Sequence, residues 1–215
     1  MGISLYYTPL SPPARAVIMT AEILGIDLDK KLVDMGKGEH LSEKFKKLNP
    51  QHTLPTLVDG EIVIWDSHAI ITYLARKYGK DDSLYPKDFA KRALVDQRLH
   101  FEGSVVFPTI RHIVRSMLFK GQKTITQEQL DNVNEALNFL NTFLENQQFV
   151  AGDTLTLADI SLISSTASIN TFLPIDKEKY KNVCFWMDKI SELPFFEVNV
   201  DGLNDFKGFM GHLMS

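Results

Sequence analysis

One cysteine, Cys184, in 215 residues leaves no disulfide framework, no metal-binding cysteine set and no dithiol pair, and implies a reducing compartment. Positive charge is not in surplus either. Lys and Arg number 23 against 27 Asp and Glu, a formal net charge of −4, which argues against a nucleic-acid surface or a polybasic membrane patch. No apolar run is long enough to span a bilayer, and the start lacks the basic-then-apolar pattern of a secretory leader. Met1-Gly2 opens like a myristoylation signal, but Tyr6 stands where Ser or Thr is needed, which excludes it. Internal repeats and low-complexity tracts are absent. The expected address is the cytoplasm, with no metal, nucleic acid or membrane partner.

What is present suffices for folding: 44% of the residues are hydrophobic, enough for one large core or two modest ones. Ile3 to Tyr7 is a β-rich run that stops at a segment carrying Pro9, Pro12 and Pro13. Proline suits a first helical turn, and Ala14, Val17, Ile18, Ala21 and Leu24 recur at helical spacing until Gly25. Ser11 therefore stands just ahead of a helix. Lys30 to Val33 reads as a second strand, and Ser42 to Leu48 as a short polar helix closed by Asn49-Pro50.

The stretch from Asn49 to Ala69 organises the rest. Leu54 precedes Pro55, which favours extended backbone and makes a cis bond accessible. Thr56 to Val58 reads as a strand, Asp59-Gly60 as a two-residue turn, and Glu61 to Trp65 as the return strand. Asp66 and Ser67 are helix N-cap candidates for a helix running to about Tyr78. An exposed strand edge at Leu54 beside a helix N-terminus at Ser67 predicts a docking platform for a small acidic peptide. The order β-α-β-α-β-β-α is that of a thioredoxin-like domain.

Lys77 to Asp88 mixes glycine, proline and charge without apolar periodicity, and beyond it the strand signals vanish. The expected fold is α/β plus all-α: a thioredoxin-like domain over residues 1–79, a linker over 80–88 and a helical domain over 89–215. In that helical half, Phe89 to about Phe119 reads as one long helix kinked at Pro108. Leu130, Val133, Leu137, Leu140 and Leu144 form a buried stripe on a helix from Thr126 to Asn146. Thr156 and Asp159 form a capping box ahead of an apolar helix ending near Phe172, and Tyr180 to Glu192 is one more helix. The aromatic tail from Phe195 onward is expected to be broken by Gly202, Gly208 and Gly211.

A thioredoxin-like fold usually carries its reactive group at the start of the first helix, where the macrodipole and free N–H groups favour a negative sulfur. Here that residue is Ser11, so the protein itself performs no dithiol exchange. Ser11 is either a plain helix cap or a donor to the thiolate of a bound molecule, whose unperturbed pKa is about 8.5. The missing cysteines and the downstream platform favour the borrowed thiol. Asp66 and Ser67 are ordinary caps or, for a ligand with an α-ammonium and an α-carboxylate, the partners of cation and anion respectively. His40 and His52 suit hydrogen bonds to a terminal carboxylate, and their spacing suggests no metal site. Phe107, Arg111 and Val114 share a helix face, with Met117 and Phe119 near its end. That stripe reads as core or, because an unpaired buried guanidinium is costly, as a cleft wall joined by Phe206 and Phe209.

The motifs LSPPARAV, NPQHTLPTL, IWDSHAI, YGKDDSLYP and LTLADIS resemble the cytosolic glutathione S-transferases over essentially the whole chain, the insect epsilon class first and the delta class next. The resemblance implies that Ser11 activates the glutathione sulfur and that Leu54 pairs its backbone with the cysteinyl unit before a cis Pro55. It implies further that Asp66 and Ser67 hold the γ-glutamyl end and His40 and His52 the glycyl carboxylate side, with Thr53 and His68 also among the glutathione-binding residues. Leu10, Phe107, Arg111, Val114, Met117, Phe119, Phe206 and Phe209 would line the hydrophobic site. His68 stands where delta-class relatives often carry arginine, and Glu102 to Phe107 departs slightly from the family pattern. The implied activity is attack of glutathione thiolate on hydrophobic electrophiles by a homodimer, in detoxification. Glutathione-dependent peroxide reduction, dehydrohalogenation and non-catalytic carriage of hydrophobic ligands stand as alternatives.

Overall fold

The computed structural model describes residues 2–215. Its single sheet contains β1 (Ile3–Tyr7), β2 (Leu28–Leu32), β3 (Thr56–Asp59) and β4 (Ile62–Trp65), ordered β2-β1-β3-β4. β1 and β2 are parallel, Tyr7 lying opposite Leu32, and are joined by the helix α1 (Pro12–Leu24). β3 runs antiparallel to β1 with Thr56 opposite Tyr6, and β4 antiparallel to β3 with Trp65 opposite Thr56. With α2 (Glu43–Leu48) and α3 (Ser67–Tyr78), this is the thioredoxin-like order. Its consequence is positional: the ends of β1, β2 and β4 and the start of β3 all meet at one end of the sheet.

Local chemistry explains the first elements. Ile3 and Leu5 point inward and are buried, as alternation along a half-covered strand requires. Ser11 caps α1, and Gly25 ends it at φ +66°, a left-handed conformation that glycine adopts without a Cβ penalty. Three expectations shift in register. β2 starts two residues before Lys30 because it is an edge strand of mostly exposed side chains, placed by its pairing with β1 rather than by its own pattern. The hairpin turn is Gly60-Glu61, not Asp59-Gly60, since Asp59 stays in the ladder opposite Ile62. There its carboxylate accepts hydrogen bonds from Tyr73 and Lys77, each at 2.7 Å, and from Tyr78. Leu54 is not on a sheet edge, because β3 lies between β1 and β4; its backbone is free because the ladder begins only at Thr56.

From Phe89 onward the described chain is helical: α4 (Phe89–Phe101), α5 (Phe107–Lys120), α6 (Gln127–Phe143), α7 (Leu157–Phe172), α8 (Lys181–Ser191) and α9 (Glu197–Met214). The one long helix expected from Phe89 is divided by a π-helical turn, Glu102–Val106, and Pro108 sits in the first turn of α5 instead of kinking a helix middle. Proline has no amide for the carbonyl four residues back, and the wider turn ahead of it absorbs that loss. Val133, Leu137, Leu140 and Leu144 are buried as the α6 stripe predicts, with Leu130 half-buried. α7 is the central helix, buried on nearly every side from Leu157 to Ile169 and packed on α1, α4 and α9. The glycine-interrupted tail is a correction: α9 runs unbroken for 18 residues. Burial of Phe206 and Met210 outweighs the roughly 1 kcal/mol that each helical glycine costs. No helix of the described residues is long and apolar enough to cross a membrane.

Candidate functional site

Ser11 lies in the connection leaving β1, His40 in the segment after β2, Leu54-Pro55 immediately before β3, and Asp66-Ser67 immediately after β4. The strand register therefore gathers these positions, distant in sequence, at the same end of the sheet. The Leu54-Pro55 bond is cis, and Pro55 is buried while Leu54 is half-exposed. Asn49, fully buried, holds the preceding loop by donating to the Thr53 carbonyl at 3.0 Å, Thr53 Oγ1 at 3.2 Å and Thr56 Oγ1 at 2.9 Å. Thr53 is thus engaged in shaping the loop that presents Leu54. Neither backbone group of Leu54 meets a partner among the described residues.

Donors at the mouth of α1 are scarce for a reason written in its sequence. Pro12 and Pro13 have no amide hydrogens, and the Ala14 amide donates to Ser11 Oγ at 3.3 Å. The Ser11 amide itself donates to the Thr8 carbonyl at 3.1 Å. What remains is the Ser11 O–H, for which the described residues offer no acceptor. A hydroxyl that accepts with its lone pair and has its proton free is built to donate to an incoming anion.

At the mouth of α3 the roles of the two caps separate. Asp66 is the N-cap, at φ +72°, and its Oδ1 accepts from the amides of His68 at 3.0 Å and Ala69 at 3.3 Å. Ser67, in the first turn and 7% exposed, keeps its amide and hydroxyl unpaired among the described residues. The Ser67 amide and hydroxyl can therefore donate to an anion, and the second oxygen of Asp66 can accept from a cation. His40 and His52 lie with ring centroids 6.2 Å apart. Burial, followed by the proximity of His52, lowers the His40 pKa, which favours its neutral imidazole. Its Nδ1 is buried without a partner, a polar atom left for a ligand to satisfy.

The apolar residues divide. Leu10, Phe107, Val114 and Phe209 are half-buried, and Arg111 is exposed, so the buried-guanidinium problem does not arise. Phe119 is 74% exposed, with the Arg115 guanidinium 5.5 Å from its ring. Arg111 and Phe119 border an open groove of about 510 Å³ along α5 with Pro108, His112, Arg115, Ser116 and Lys120. Met117 and Phe206, at 4% and 3% exposure, are core side chains and a correction to the wall as first drawn. Apolar spacing on a helix marks a buried face equally well whether core or ligand covers it, so the pattern had no means of separating them.

Two groups escaped sequence reasoning. His68 reaches the helical domain, its Nε2 2.9 Å from both Glu102 Oε2 and Ser161 Oγ, while Ser165 donates to Glu102 Oε1. This cluster ties α3 to the π turn and α7 through the His68 Nε2. Arg15, 1% exposed, is the second. Only polar residues at buried helical spacing, Arg15 among the apolar positions of α1 and the serines of α7, signalled either one. Among the described residues no cluster of three or more His, Cys, Asp or Glu is placed to hold a metal.

Fold and site together define a two-domain enzyme that works on a thiol it does not own. Two family models match, "Glutathione S-transferase, N-terminal domain" over residues 5–82 and "Glutathione S-transferase, C-terminal domain" over residues 96–194. Glutathione S-transferase D7 of Drosophila melanogaster is 42% identical over 100% of this chain and 96% of its own. The solved epsilon-class glutathione S-transferase of the housefly, Musca domestica, superposes with TM-score 0.95 at 43% identity over 98% of each chain. A glutathione transferase homologue of Drosophila mojavensis, solved with bound glutathione, does so with TM-score 0.95 at 44% identity over 98% of this chain and 97% of that one. The chain belongs to the glutathione S-transferase family, among insect epsilon- and delta-class relatives, and glutathione is its co-substrate. These kinships do not favour the peroxidase, dehydrohalogenase or carrier alternatives.

Proposed function

We propose that Ser11 donates a hydrogen bond to the glutathione sulfur and holds it as a thiolate for attack on hydrophobic electrophiles. The observation that carries this reading is the Ser11 O–H, a donor at the mouth of α1 without an acceptor among the described residues, standing at the end of the sheet where Leu54 and Ser67 also present free groups. Leu54 pairs its backbone with the cysteinyl unit, Ser67 binds the γ-glutamyl carboxylate, Asp66 its ammonium, and His40 with His52 the glycyl carboxylate. The thiol proton leaves to solvent, the sulfur forms a bond to the electrophilic carbon, and that carbon releases its leaving group, such as halide, with the bonding pair. Stabilisation of the sulfur anion and alignment of two reactants account for the acceleration.

Leu10, Phe107, Arg111, Val114 and Phe209 face the electrophile. We place the domain boundaries at 1–79 and 89–215 with a linker over 80–88, and read the working form as a cytoplasmic homodimer serving detoxification. The test is Ser11→Ala with glutathione and a model aryl halide at neutral pH. Binding to immobilised glutathione is retained and turnover falls about tenfold or more, one hydrogen bond to a charged group being worth about 1.5–3 kcal/mol. Unchanged turnover overturns the assignment.

A further inference from the structure

Arg15 is a charge buried without a counter-charge. None of the salt bridges among the described residues includes it, and Asp205 acts on it only through a longer-range field. Four of its five N–H groups go to neutral acceptors on three separate segments. Nη1 donates to the Pro9 carbonyl at 2.7 Å and, more weakly, to the Gly202 carbonyl at 3.4 Å; Nε donates to Asn199 Oδ1 at 2.8 Å; Nη2 donates to Ser168 Oγ. The guanidinium also lies 5.8 Å from the Phe206 ring centroid.

The segment this fixes is the one that bears Ser11. Pro9 is two residues before Ser11 and Pro12 one after, and both carbonyls are held from the helical domain or through Arg15: Pro9 by the guanidinium, Pro12 by Ser164 of α7. The other end of the Arg15 network is α9, which carries the wall residue Phe209. Contact there is close enough to require glycine. A Cβ on Gly202 would lie 2.7 Å from Arg15 Cδ and 2.9 Å from the Pro9 oxygen.

We propose that Arg15, seated against Gly202, is a positioning residue that sets where the Ser11 hydroxyl stands relative to α9, and so couples the thiolate donor to the electrophile wall. The inference rests on the assignment of Ser11 above. A displaced Ser11 loses its hydrogen bond to the sulfur, whereas glutathione remains held by Leu54, Ser67 and the histidines.

Arg15→Lys and Gly202→Ala in the full chain test this, with Ser11→Ala alongside. For each, kcat and KM are measured with glutathione and an aryl halide, and the ionisation of bound glutathione is followed by its thiolate absorbance against pH. Both variants should keep the KM for glutathione, lose about tenfold to a hundredfold in kcat at neutral pH, and move the thiol midpoint up toward about 8.5, the value of an unassisted thiol. Lysine cannot span the acceptors a guanidinium reaches, and alanine at Gly202 displaces the same joint while Arg15 stays in place. A purely structural role would lower the melting temperature and leave the midpoint and the kcat per folded molecule untouched, which overturns the proposal. If Arg15→Lys does not fold, Gly202→Ala decides alone; if neither folds, the joint is a folding element and the proposal falls. A slow Ser11→Ala beside normal Arg15→Lys and Gly202→Ala sinks only this inference, whereas a normal Ser11→Ala sinks the reading beneath it.

Discussion

Replacing Asp159 by alanine should be among the most damaging single changes in the helical domain. The carboxylate is fully buried and accepts from the Val150 amide at 2.8 Å, the Thr156 amide at 2.9 Å, Thr156 Oγ1 at 3.0 Å and the Trp186 indole at 3.0 Å. Alanine leaves three buried N–H donors that cannot rotate to other partners, and at about 1–3 kcal/mol each their combined cost is about 3–9 kcal/mol. Burial raises the Asp159 pKa against the pull of those donors, so the charged form carries a desolvation penalty above that pKa, and alanine recovers it. The net loss therefore sits in the lower part of the range, about 3–6 kcal/mol, against about 5–15 kcal/mol for a whole domain. Urea unfolding followed by far-UV circular dichroism measures it without relying on Trp186 as reporter. Asp159→Asn, which keeps one acceptor, should fall between wild type and Asp159→Ala. A loss below about 1 kcal/mol for alanine would show that the donors find other partners and that the node does not hold Val150 and α8 to the start of α7.

Other consequences are as direct. Lys77, with Tyr78 and Tyr73, holds the Asp59 pKa down to about 2 from an ordinary 3.8. A lowered carboxyl stabilises the fold above its ordinary pKa and loses that contribution as pH falls through about 2, so Asp59→Asn should flatten stability against pH between those two values. Glu102→Gln should lower the urea midpoint and speed amide exchange in α3, because the hydrogen bonds of Glu102 to His68 and Ser165 join α3 to α7, and bonds to a charged group are worth about 1.5–3 kcal/mol. Unaltered α3 exchange would remove that connection from the account. His40→Ala should raise the KM for glutathione about tenfold with kcat maintained, the loss of one hydrogen bond to a carboxylate; an unaltered KM would free Nδ1 of that role.

Much of the candidate site's geometry was legible because its signals are local. Proline after Leu54, proline in the first turn beyond Ser11, and a cap pair before a helical stripe act through backbone geometry over three or four residues. The misreadings share one cause. Asp59-Gly60 is a strong turn signal, yet three α3 side chains hold Asp59 in the strand. Three glycines should break a tail, yet α9 is continuous because one of them fits against Arg15 and the helix buries Phe206 and Met210. In each case a contact from a distant segment outweighed a propensity worth roughly 1 kcal/mol or less.

The order of strands and helices, the cis-prone proline, the capping serines and the want of a cysteine pair were determined by the sequence alone, since each depends on neighbours along the chain. Tertiary structure decided which donors stay free once the others are paired, which aromatics are core, and that a buried Arg15 and the His68–Glu102 cluster join the two halves. Those outcomes depend on what occupies the space beside a residue, and spacing along a chain carries no record of it.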